Sequence, residues 1–132
     1  MFVHSSALVA MMTDESEAAE LAARLERHSQ RRTAPLAVFE AAAGVAHSLE
    51  LSPREAHRAV QAFLKLMDIT VVPLEPGIAD SAIEAYARYG KGQNQTAGLS
   101  MPDCFVYACA RHYGEPLLYK GLNFARTDIP PG

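Results

Sequence analysis

Two carboxylates stand out because of what surrounds them. Glu40 sits in Val38-Phe39-Glu40-Ala41-Ala42-Ala43, and Asp103 sits in Ser100-Met101-Pro102-Asp103-Cys104-Phe105-Val106. An ionised carboxylate among apolar side chains is costly to bury unless it is paired, hydrogen-bonded or bound to a cation. Two readings of the pair follow. In the first, Asp103 caps a helix N-terminus and Glu40 reaches outward to water. In the second, both belong to a cage for a hard divalent cation. Magnesium wants oxygen ligands and keeps several of its waters, so roughly two to four carboxylates suffice. Such a cage activates water and neutralises charge in phosphodiester hydrolysis.

The elements that must position these residues alternate in type. Met1–Val3 reads as a very short buried strand, and Ser5–Met12 carries small and apolar residues into a turn. A helix opens in the polar run Thr13–Ser16, shows Ala18, Leu21, Ala22 and Leu25 on one face, and ends at Gln30-Arg31-Arg32. Thr33–Leu36 is a weak strand. Leu36, Phe39, Ala43 and Ala46 then form the apolar stripe of a helix reaching about Leu49. Ser52-Pro53-Arg54-Glu55 is a capping box with proline at the first helical position. It opens a helix with Val60, Phe63, Leu64 and Met67 inward. Ile69–Val72 is β-branched throughout and bounded by Pro73, hence a strand. From Pro76 a helix turns Ile78, Ala82, Ile83, Tyr86 and Tyr89 inward and stops at Gly90. Gly90–Ser100 is a loop, Pro102–Tyr113 a helix, Leu117–Tyr119 a strand, and Thr127–Ile129 an edge strand.

Strands separated by helices predict an α/β fold: a central parallel sheet of four to five strands, covered on both faces in a three-layer sandwich. Ligands of such sheets bind beyond the carboxyl ends of the strands, where the strand order reverses. That directs attention to His4-Ser5-Ser6, Glu40, Asp103 and the Gly121–Asp128 segment.

Composition narrows the function. The chain has 132 residues, 49% apolar and 20% charged, which predicts one domain over residues 1–132. A net charge of −3 argues against coating nucleic acid by bulk charge, though not against a nuclease, whose own site is acidic. Cys104 and Cys109 lie in a helical stretch, where five residues rotate side chains apart by about 140°, so no disulfide is expected. Reduced thiols, with no apolar run of membrane-spanning length and no secretory signal at the start, predict a cytoplasmic protein without a membrane partner. No nucleophile elbow follows from His4-Ser5, and no dinucleotide or P-loop fingerprint occurs. His28, His47, His57 and His112 lack zinc-ligand spacing.

Four segments, in order and together covering the chain from end to end, carry a family resemblance. They are Met1–Ala10, Phe39-Glu40-Ala41, Gly98–Ala108 and Glu115–Ile129. The chain resembles a PIN-domain ribonuclease of the VapC toxin type. The resemblance implies a three-layer PIN-like fold, RNA cleavage with magnesium or manganese, and inhibition by a cognate VapB-type antitoxin. It also implies a homodimer, with operator DNA bound only through the antitoxin. Apolar surface on the helices around Leu64, Ile83, Tyr86 and Tyr89 suits such association.

Carried onto this chain, Glu40 and Asp103 match the family's second and third acids, and Ser6 a hydroxyl beside the first. Asp128 matches an outer carboxylate, while Lys120 and Arg126 flank the site as candidates for RNA phosphates. Two positions depart. His4 stands where the family has its first acidic ligand, and Asn123 where it has its fourth. Imidazole is softer than carboxylate and, when neutral, brings no negative charge. The expectation is a metal-dependent RNA endonuclease impaired by His4. The alternative is a catalytically silent PIN domain that binds an antitoxin within an operator-binding complex.

Overall fold

The computed structural model describes residues 1–93 and 96–132. Asn94 and Gln95, inside the Gly90–Ser100 loop, lie outside the described residues. Four two-residue strands form the sheet: β1 (Phe2–Val3), β2 (Arg32–Thr33), β3 (Thr70–Val71) and β4 (Leu117–Leu118). All pairings are parallel, in the order β3-β2-β1-β4. Phe2 is in register with Arg32 on one side and Leu117 on the other. The order therefore reverses at β1, and the crevice beyond β1 and β4 is where the topology opens a site.

Side chains of a strand alternate between faces, and the short strands use this fully. Phe2 and Leu117 face one apolar layer, which includes Val72 and the inner faces of α5 (Ile78–Tyr89) and α6 (Met101–His112). Val3 and Leu118 face the other, built from α1 (Ser5–Met12), α2 (Ala18–Glu26), α3 (Pro35–Leu49) and α4 (Pro53–Leu66). Thr33, fully buried between them, donates its hydroxyl to the Val3 carbonyl at 2.8 Å. The three layers are an α/β sandwich of the expected class, with four strands.

Several elements differ from the sequence reading. Ser5–Met12 is a helix rather than the approach to a turn. It is short and apolar nearly all round, with Ser5, Ala7, Leu8 and Ala10 buried, so no helical period marks it. The following helix is correspondingly shorter, Ala18–Glu26. In α3 the buried face is Ala37, Ala41 and Val45, whereas Phe39 is 75% exposed. Small side chains win this face because α3 lies close against its neighbours: a Cβ on Gly44 would stand 2.9 Å from Val9 Cγ2 of α1. In α5 the buried residues are Ile78, Ala82 and Ala85, and Ile83 and Tyr86 are exposed. Thr127–Ile129 is not a strand: a 3-10 turn at Phe124–Arg126 precedes it, and the β-bridge to Leu117 is made by Pro131. The capping box of Ser52 and Glu55 forms as read. No helix among the described residues is long and apolar enough to cross a membrane.

Candidate metal centre

His4 is the first residue after β1 and the N-cap of α1, with extended backbone. Its Nδ1 accepts the Ser6 backbone N–H at 3.1 Å and lies 2.8 Å from Ser6 Oγ. A nitrogen that accepts an N–H carries a lone pair, so the ring proton sits on Nε2. Nε2–H donates to Asp103 Oδ1 at 2.8 Å. Ser6 Oγ in turn accepts the backbone N–H of Lys120, just beyond β4, at 2.9 Å. The chain of bonds therefore runs from Lys120 through Ser6 and His4 to Asp103, and the Phe124 ring meets the imidazole edge-on.

Asp103 stands at the third position of α6. Its Oδ2 accepts the Ser100 N–H at 3.2 Å, and its own N–H donates to Ser100 Oγ at 3.2 Å, a reciprocal capping box. Its cap role and its place in the cluster coexist because each uses a different carboxylate oxygen. Burial works to raise the Asp103 carboxyl, but bonds from His4 and Ser100 outweigh it and hold the group below its ordinary value.

Glu40 lies on the second turn of α3, half-buried, and accepts the Ser5 hydroxyl at 3.3 Å. Burial, reinforced by the nearby Asp103 charge, raises its carboxyl against the opposing pull of His4 and Ser5. Oε2 of Glu40 accepts no hydrogen bond among the described residues. Ligand atoms of His4, Glu40 and Asp103 all lie within 4.8 Å of one another. That separation suits donors sharing one cation, and two carboxylates with one imidazole are a donor set that a divalent ion accepts.

The remaining sequence candidates are placed differently. Asn123 is exposed and donates its amide to the Gly98 carbonyl at 3.4 Å. Lys120 turns its ammonium to Glu15 and Glu17, so its charge is already paired. Arg126 donates to the Thr96 carbonyl at 3.1 Å. Asp128 is held by the Tyr107 hydroxyl and by Arg88 at 3.4 Å. It ties the C-terminal segment to α5 and α6. Ser5, which the sequence offers only within the His4-Ser5-Ser6 run and as an unsupported nucleophile, serves instead as the hydroxyl donor to Glu40. Cys104 and Cys109 are free and buried, and burial pushes both thiols up to about 11.

The Tyr107–Asp128 pair carries a pH-dependent expectation. Burial and the bond to Asp128 push the Tyr107 phenol up to about 12. Folding thus favours the protonated phenol, a contribution full below its ordinary value and lost as pH rises towards 12. The hydroxyl bond, with Arg88 nearby, lowers the Asp128 carboxyl, so that contribution is present above the ordinary carboxylate value and lost as pH falls through the lowered one. Tyr107→Phe should cost about 1.5 kcal/mol at neutral pH, at the low end for a bond to a partly exposed carboxylate. Thermal midpoints of both proteins against pH check this: the gap should narrow on both the acid and the alkaline limb. A gap constant across pH would show that the bond contributes nothing.

Comparison with known proteins agrees with this architecture. The PIN domain family matches residues 1–130. Ribonuclease VapC of Mycolicibacterium smegmatis is 39% identical over 129 residues, 98% of this chain and 97% of the relative. Ribonuclease VapC30 of Mycobacterium tuberculosis is 37% identical over 130 residues, 98% of this chain and 95% of the relative. The crystal structure of the Mycobacterium tuberculosis toxin VapC20, described as cleaving the sarcin–ricin loop, superposes with a TM-score of 0.73. It covers 97% of this chain and 95% of that one, and at 17% identity the likeness is one of fold. With a parallel sheet reversing at β1, near-full-length relatives and a matching family profile, the chain belongs to the PIN-domain family, among its VapC proteins.

Proposed function

We propose that this chain is the RNA-cleaving toxin of a toxin–antitoxin pair, acting in the cytoplasm as a single PIN domain over residues 1–132. The observation that carries the reading is the convergence of His4, Glu40 and Asp103 within 4.8 Å at the reversal of the sheet. The names of the relatives support ribonuclease chemistry.

Glu40 and Asp103 supply the negative charge that holds a divalent ion, magnesium or manganese, and His4 supplies the third donor. Such an ion, when bound, activates water and offsets charge on the scissile phosphate. Ser5 orients Glu40 through its hydroxyl, and the Ser6 backbone N–H fixes the tautomer of the His4 ring. The capping box holds Asp103 in one rotamer, so its Oδ1 faces the cluster without further ordering. With one acid replaced by His4 and Asn123 turned to Gly98, the site is impaired in magnesium. Asp128, bonded to Tyr107 and Arg88, supports the C-terminal segment beside the site rather than the ion. Arg126 remains the better candidate for an RNA phosphate, since Lys120 is paired.

An apolar groove of about 830 Å³ between α3 and α4 suits the antitoxin. Val38, Phe39, Ala42 and Leu64 line it, and Arg54 and His57 rim it. Exposed Ile83 and Tyr86 suit a homodimer, and DNA is reached only through the antitoxin. One observation favours the silent alternative: Nε2–H of His4 already occupies Asp103 Oδ1. Growth of cells expressing the parent or His4→Asp, with and without a co-expressed antitoxin, tests the function. Arrest by His4→Asp, relieved by the antitoxin, is expected; no arrest by either protein would overturn the toxin reading.

A further inference from the structure

The donor set at the reversal of the sheet is not the all-oxygen set that suits magnesium. His4 contributes a nitrogen, with Glu40 and Asp103 completing the three. Imidazole suits zinc and the later transition ions, whereas carboxylate, carbonyl and water suit magnesium. The bonding of His4 adds a second observation. In the ion-free protein the proton is on Nε2 and points at Asp103, while Nδ1 faces Ser6. Nε2 can bind an ion only after the proton moves to Nδ1.

Ser6 is built to receive it there. Its Oγ lies 2.8 Å from Nδ1 and is itself anchored by the Lys120 N–H. An Nδ1–H would donate to that oxygen, the Ser6 hydroxyl proton would turn away, and the Ser6 backbone N–H would lose Nδ1 as its acceptor, a cost that the bond from Nε2 to the ion must exceed. The net change is one proton leaving Nε2 and one arriving at Nδ1, with no change of charge on the ring. A hydrogen-bond acceptor behind the non-ligating nitrogen is the arrangement that fixes a ligating histidine and raises its basicity.

We propose that His4, backed by Ser6, makes this a zinc-class centre: an ion that favours nitrogen binds through Nε2 in preference to magnesium, with inversion of the His4 tautomer. The proposal rests on the reading of His4, Glu40 and Asp103 as a metal centre. It assigns to Ser6 a positioning role rather than a catalytic one.

Calorimetric titration of the parent, His4→Asp and Ser6→Ala with zinc and with magnesium tests it, together with ¹⁵N spectra of the histidine side chains in the parent. Zinc should bind the parent about 100-fold more tightly than magnesium, and Ser6→Ala should lower zinc affinity about 10-fold. His4→Asp should narrow the zinc-to-magnesium ratio by tightening magnesium. The His4 spectrum should show the proton on Nε2 without ion and on Nδ1 with zinc. An equal ratio in parent and His4→Asp, or His4 nitrogens unmoved at zinc saturation, would overturn the proposal. Magnesium bound by His4→Asp with no ion bound by the parent would also overturn it while leaving the metal centre standing. No ion bound by any of the three would remove the centre itself. Unchanged zinc affinity in Ser6→Ala would overturn the part given to Ser6.

Discussion

Replacing His4 by aspartate should raise magnesium-dependent RNA cleavage by about 100-fold or more. A unit charge about 4 Å from a divalent ion's site is worth several kcal/mol at an intermediate effective dielectric, and about 2.7 kcal/mol is already 100-fold in rate. The new carboxylate would join Glu40 and Asp103, so the cluster carries three acids instead of two. Aspartate is also a good N-cap, so the start of α1 should survive. The same substitution places like charges together when no ion is present, which gives a second signature. His4→Asp should be less heat-stable than the parent in chelator, and magnesium should restore more stability to it than to the parent. Cleavage of a fluorogenic RNA in magnesium and in manganese, with parallel thermal melts, measures both. A parent that cleaves as fast as His4→Asp in magnesium would show that His4 is not at a metal position.

Asp103→Asn should abolish whatever cleavage remains, a loss of about 100-fold or more, while costing about 1–2 kcal/mol of stability, since the cap survives and only the partner of the His4 Nε2–H is lost. The two effects separate because Asp103 does two things with two oxygens. Oδ2 closes the capping box on Ser100, and an amide oxygen can still do that, but the amide nitrogen then faces the His4 Nε2–H and cannot accept it. Oδ1 receives the His4 proton and lies in the cluster, where loss of charge removes an ion ligand. Asp103→Ala is the control: besides the partner of the buried Nε2–H it also loses the cap, about 2–3 kcal/mol together. Equal stability losses in the two variants, or full cleavage by Asp103→Asn, would show that Asp103 serves only the helix.

The readings that agree with the structure in kind, with the strands trimmed to two residues each, are local ones. Ser52 with Glu55 and Pro53 marked a helix start because a capping box is complete within four residues and owes nothing to distant contacts. The β-branched run around Thr70–Val71 and the apolar pair Leu117–Leu118 likewise announced strands from their own composition. Reading Asp103 as a helix cap or as a cluster member could not be resolved locally, since the first needs only Ser100 and the second needs His4.

The errors also share a cause. Phe39, Ile83 and Tyr86 are apolar and helically spaced, so periodicity turned them inward, yet all three are exposed. Periodicity reports that a face is apolar; it does not report how near the next layer lies. Where α3 meets α1 so closely that a Cβ on Gly44 would stand 2.9 Å from Val9, the buried face is Ala37, Ala41 and Val45, and the bulkier Phe39 is left to the groove. Ser5–Met12 escaped notice for the complementary reason: a short helix buried on most sides has no polar face to set a period.

The amino-acid sequence by itself determined the alternation of strand and helix, the family, and the residue types available at the site, because each is written in short-range spacing or in motif order. Only the tertiary structure decided which atoms meet. Parallel strands two residues long bring the ends of β1 and β4 together, α3 and α6 deliver Glu40 and Asp103 there, and the Ser6 N–H decides which nitrogen of His4 bears the proton. Such relations join residues far apart in the chain through packing distance and hydrogen-bond direction, and neither quantity exists until the layers close.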